Sequence, residues 1–144
     1  LPFIHQVSTD TVNLPEFDAI IALRGESSNP LAYDREKLEP LQLAAYPKLK
    51  PIISQLDKEQ AFAKALNVAS SLGWDVVAKN EQQGLIEAVD TSALWAFKDD
   101  IAIRVQAVGA SSKIDLRSIS RIGGSDLGAN AARVEKFITA FANK

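Results

Sequence analysis

IDLRSISRIGGSDLGANAAR, Ile114 to Arg133, is the stretch whose reading decides the fold. Ile114 and Leu116 alternate with Asp115 and Arg117, which is the period of a strand with one apolar face. Gly123, Gly124 and Gly128 break that period. Beyond them Val134, Phe137, Ile138 and Phe141 recur at helical spacing. The spacing therefore predicts a strand over Lys113–Arg121, a glycine turn, and a closing helix over Leu127–Phe141. Asp126 stands where an N-cap belongs, since its carboxylate can accept the first free amides of that helix.

Immediately upstream, Ile101–Val108 alternates Ile101, Ile103 and Val105 against Ala102, Arg104 and Gln106, a half-buried strand. Gly109–Ser112 turns it back onto Lys113–Arg121. Further upstream, Trp74–Lys79 and Leu85–Thr91 read as a hairpin joined by the polar turn Asn80–Gly84. Before the hairpin, Asp57 followed by Gln60 is a capping-box start. Ala61, Phe62, Ala65, Leu66, Ala69 and Leu72 then keep helical spacing up to Gly73, so a helix is expected over Lys58–Leu72. The expected fold is α+β: a four-stranded antiparallel sheet with helices on one face.

The first 55 residues have another character. All six prolines, from Pro2 to Pro51, lie there, and proline fixes φ and removes an amide donor. Leu1–Gln55 is expected to be an irregular arm whose apolar anchors pack it on a core spanning 56–144, in one domain. Ser8-Thr9-Asp10 reads as a turn or cap, Phe17–Arg24 as a short strand or helical turn, and Gly25–Pro30 as a loop.

Composition narrows the function classes. With 144 residues the chain can bury its own core, and 47% hydrophobic against 24% charged residues is globular rather than disordered. A net charge of -2 gives no field favouring nucleic acid. One histidine and no cysteine leave too few soft ligands for a zinc or copper site, and no metal or cofactor is expected. No apolar run approaches the ~18 residues of a membrane helix. The chain lacks methionine and starts at Leu1, which points to a trimmed or processed N-terminus.

The candidate site residues gather on the opening stretch and its neighbours. With Ile114 and Leu116 on the helix-covered face, period two sends Asp115, Arg117, Ile119 and Arg121 to the other. Glu87 and Arg104 fall on that other face as well. One reading is a ladder of ion pairs on a solvated sheet. The other is an anion-recognising face under the arm, because guanidinium groups donate paired bonds to carboxylates and phosphates. The candidate ligand-binding set is Arg104, Arg117, Ser118, Ser120, Arg121, Asn130 and Arg133. The candidate caps or acids are Glu87, Asp99, Asp100 and Asp126. The glycine turn itself could offer backbone amides to an anion, but Asp126 would occupy those donors. Asp99-Asp100 could hold calcium or magnesium, or cap a turn, or pair with an arginine. His5 could act as a base oriented by Asp10. No serine lies in a G-x-S-x-G pattern. Trp74, Trp95 and Phe97 read as core more readily than as a ligand cage.

Several blocks together resemble the domain-of-unknown-function 1499 family: Ile4–Asp10 with a following proline and Phe17, Gly73-Trp74, Ile86–Ala88, Phe97–Arg104 and Ile114–Arg133. Asn13-Leu14-Pro15 departs from the proline pair of many relatives. The resemblance implies an extracytoplasmic or membrane-attached setting and no established activity. The favoured expectation is a binding or scaffolding module whose partner is a small anionic ligand or an envelope protein. The alternatives are a hydrolase or lyase using Asp99, Asp100 or Glu87 as acid or base, and a purely structural component of an envelope complex.

Overall fold

The computed structural model describes residues 1–94 and 96–143; Trp95, expected in the core, lies outside the described residues. The sheet is built around β6 (Ser111–Ser120). Its inner neighbour is β5 (Lys98–Val108), followed outward by β4 (Leu85–Thr91) and β3 (Asp75–Asn80), all antiparallel. β6 and β5 pair from Asp99↔Ser120 to Val108↔Ser111, with Arg104 opposite Asp115 and Ala102 opposite Arg117.

Among the described residues the expected four strands are six. β1 (Gln6–Ser8) and β2 (Ile52–Ser54) share the outer edge of β6, pairing with Arg117–Ile119 and Ser112–Ile114. Each is three residues long, too short for any period to show in sequence. They form because the edge of a buried strand carries amides and carbonyls that need partners.

The arm also holds a 3₁₀ turn over Ala19–Leu23 and the helix α1 (Arg35–Ala45). Pro40 sits inside α1. An interior proline costs a helix about 3 kcal/mol, and α1 is held by tertiary contacts instead. Leu38 and Gln42 are its buried residues. The Gln42 amide accepts from Ser8 N at 3.0 Å and donates to Ser8 O at 2.8 Å, completing the free edge of β1 as another strand would.

The other helices follow the sequence pattern closely. α2 (Lys58–Ser71) begins with the Asp57–Gln60 capping box, and Gly73 follows it at φ +82°. α3 (Ala129–Asn143) starts two residues later than expected. In the hairpin before β4, Gly84 is held at φ +71° against β5, where a Cβ would come within 2.1 Å of the Val105 carbonyl oxygen. Any side chain there would push the two strands apart.

Helices α2 and α3 cover the face carrying Ile101, Ile103, Val105, Ile114 and Leu116. Trp74 is buried and stacks on Phe137 at 5.6 Å. Phe97, expected in the core, is 55% exposed. The opposite face has a smaller core of Phe17, Ile20, Val89, Ala102 and Ile119, with Leu31 packed against it. The arm is thus divided: Phe17, Ile20 and Leu31 lie over the second face and cover ion pairs there, whereas Ile4, Val7, Leu38 and Leu49 pack into the helix-side core.

Candidate functional site

The period-two expectation for β6 divides the predicted site residues between the two faces. Ser118 and Ser120 share the face of Ile114 and Leu116, and α3 brings Asn130 and Arg133 against them. Ser118 Oγ donates to Asn130 Oδ1 at 2.6 Å, and Asn130 Nδ2 donates to Ser120 Oγ, Asp126 Oδ2 and the His5 carbonyl. Arg133 reaches Asp90 and Asp99, both at 2.7 Å, and also Ser118 and Asn130. Burial raises the Asp99 carboxyl, and Arg133 opposes the rise. Every polar group of this network is bonded to another, which is the behaviour of a structural junction between sheet and helix.

Asp126 completes the junction as a cap. Its carboxylate accepts Gly128 N at 2.8 Å and Asn130 N at 3.4 Å. The Gly128 and Asn130 amides are thus taken by the chain's own acid, as the sequence suggested Asp126 would do.

On the arm side the acids meet different partners. Glu87 accepts the amides of Asp18, Ala19 and Ile20 at 2.7–3.1 Å, holding the first turn of the 3₁₀ element. Asp100 is fully buried and receives Arg24 together with a bidentate Arg121. Asp99 and Asp100 are neighbours on a strand, so they project to opposite faces and form no two-carboxylate cation site. Asp10 lies with Arg104, at 3.2 Å, and not with His5. Burial works to raise the Asp10 carboxyl, but the Asn13 and Val12 amides and Arg104 hold it below the usual carboxylate range. Nε2 of His5 is buried without a hydrogen-bond partner among the described residues. Burial lowers the His5 pKa.

Arg104 and Arg117 are brought together at a cavity of about 430 Å³ between the sheet and the arm. Leu85, Val12, Leu14 and Leu31 give it apolar walls, and Asn13, Glu16 and Tyr33 complete the lining. Arg104 is balanced by Asp10 and Asp115, at 3.2 and 3.3 Å, and donates to the Asn13 carbonyl. Its Nε is nevertheless buried with no hydrogen-bond partner among the described residues.

Arg117 differs from every other buried arginine described. It is 6% exposed, and its acceptors are Gln6 Oε1, the Pro15 carbonyl and the Leu31 carbonyl, all neutral. The Phe17 ring lies 5.1 Å from its Cζ. Among the described residues no carboxylate forms an ion pair with it. Burial, with the neighbouring Arg24 charge, pushes Arg117 down to about 10, so it still carries its charge at neutral pH. The Tyr33 hydroxyl is also buried and unpartnered, and burial with the nearby Glu39 pushes it up to about 12. It stays a neutral O–H donor. A buried charge whose hydrogen bonds all go to neutral groups is costly, and Glu16, the carboxylate whose charge acts on Arg117, is exposed at the cavity rather than paired with it.

Sequence reasoning picked out Arg104 and Arg117 from their strand period. It missed Tyr33, Glu16 and the leucines of the arm, which carry no local signal because the arm reaches the sheet through long-range contacts. It placed Arg121 on the correct face, but that side chain pairs with Asp100 rather than lining the cavity.

A sheet with helices on one face and a cavity lined by Arg104 and Arg117 on the other makes this a small α+β domain. The chain belongs to the family described as "Protein of unknown function (DUF1499)", whose model matches residues 6–141, nearly the whole length. No curated protein matches. Among solved structures it is similar to the "Crystal structure of Ara h 8.0201", at 9% identity and a TM-score of 0.37, over 66% of this chain and 96% of that one. A likeness that distant carries no argument about fold or function. Among the described residues no helix is long and apolar enough to cross a membrane.

Proposed function

We propose that this domain is a binding module that takes a small organic anion into the cavity between Arg104, Arg117 and Tyr33. The observation that carries the proposal is Arg117, charged, buried and bonded only to neutral acceptors. An anion in the cavity would supply Arg117 with a charged partner in place of neutral ones. Sites of this kind are concave and mostly apolar, with few convergent polar groups.

Recognition is favoured over hydrolase or lyase chemistry because the candidate acids have other work. Glu87 caps the 3₁₀ turn, Asp100 holds two arginines and Asp99 faces α3. None of the three lines the cavity. Ser118, Ser120, Asn130 and Arg133 serve the sheet–helix junction in this reading. The extracytoplasmic or membrane-associated setting implied by the family resemblance belongs to the same proposal, and cell fractionation tests it.

The direct test follows the arginine side-chain Nε–H signals by NMR during titration with a panel of small anions. The Arg104 and Arg117 signals should move with a saturable profile while that of Arg133 stays fixed. Saturable shifts confined to Arg121 or Arg133, or none in any arginine, would overturn the proposal.

A further inference from the structure

Resting on the anion-binding reading, we infer that the cavity selects a singly charged carboxylate with a short apolar body, and discriminates against phosphate-like dianions. The charge balance supports one negative charge. Arg104 is matched by Asp10 and Asp115, the latter shared with Lys113 at 3.8 Å, so Arg117 alone lacks a carboxylate partner. One ligand charge balances it. A second would face Glu16, which also lines the cavity.

The body of the ligand is set by the walls. Val12, Leu14, Leu31 and Leu85 offer no polar side-chain partner. A volume of about 430 Å³ lies at the small end for ligand sites. A short aliphatic or aromatic acid fits these conditions.

Calorimetric titration of the full chain at neutral pH with hexanoate, hexyl phosphate and hexanol tests the inference. These share one apolar body and differ in head group, the phosphate ester carrying about -1.5 to -2. Hexanoate should bind, hexyl phosphate should bind more weakly, and hexanol should give no heat of binding.

One variant sharpens the test without touching the buried Arg117. Glu16→Gln changes an exposed rim residue and should improve hexyl phosphate by a larger factor than hexanoate. If hexyl phosphate equals or exceeds hexanoate on the unaltered chain, or if Glu16→Gln leaves the ratio unchanged, the carboxylate selectivity is wrong while the anion site stands. Failure of both anions to bind, or hexanol binding as well as hexanoate, would sink the anion site along with it.

Discussion

The two faces of the sheet each bury arginines among polar groups, and they resolve the problem in opposite ways. Under α3, Arg133 meets two aspartates, and its neighbours Ser118, Ser120, Asn130 and Asp126 bond one another. Under the arm, Arg117 has neutral acceptors only, and two donors at the same cavity have none. A closed network rigidifies, whereas an open one carries an energetic debt that a ligand can relieve. Equal richness in arginine on the two faces thus says little about function. What separates them is whether the chain supplies its own counter-charges.

The largest expected effect comes from breaking a pair on the arm side. Asp100→Ala strands Arg24 and Arg121, whose side chains are only 6% and 13% exposed. It should cost about 3–5 kcal/mol in denaturant melts. Arg117→Met is the sharper half of the comparison. It strands no charge and leaves only neutral acceptors, so its loss should be smaller, about 1–3 kcal/mol. If Arg117→Met proves the more damaging of the two, Arg117 is a structural ion and the contrast between the faces fails.

Asp126 comes next. Its Oδ1 accepts from Gly128 and its Oδ2 from Asn130, with no arginine pairing among the described residues, so Asp126→Asn, with one acceptor oxygen, should keep part of the cap and cost less than alanine. Asp126→Ala should cost about 0.5–2 kcal/mol. Equal and large losses from both substitutions in the same melts would mean that the carboxylate's charge holds the helix-side network together.

Tyr33→Phe should be smaller and of opposite sign. Removing a buried hydroxyl that has no partner should leave the ligand-free protein unchanged or stabilise it by up to about 1 kcal/mol. A clear fall in melting temperature would show that the hydroxyl already has a partner in solution.

The smallest effect is a pH dependence at His5. Burial lowers its pKa below 6.5 in the folded state. As the pH falls through 6.5, the unfolded chain takes up a proton that the folded chain does not, so stability drops with falling pH. The drop levels off below the folded pKa. Replacing His5 by phenylalanine should flatten this part of the curve of melting temperature against pH. An unchanged slope would assign it to another group.

The sequence by itself determined the elements whose instructions are local. The Asp57–Gln60 box and Gly73 bounded α2, the alternation in Ile114–Arg121 set which side chains face the helices, and the Asp126 cap preceded α3. The same alternation brought Arg104 and Arg117 to one face. Only the tertiary structure decided the rest. QVS and IIS become strands because β6 has an open edge, and α1 persists around Pro40 because Gln42 completes β1. Tyr33 and Glu16 reach the cavity through an arm whose contacts join residues as far as 125 apart in the chain. Whether an arginine finds a carboxylate is likewise a fact about distant segments in space. Local propensity has no access to it, because a counter-charge acts through distance and dielectric, and not through position in the chain.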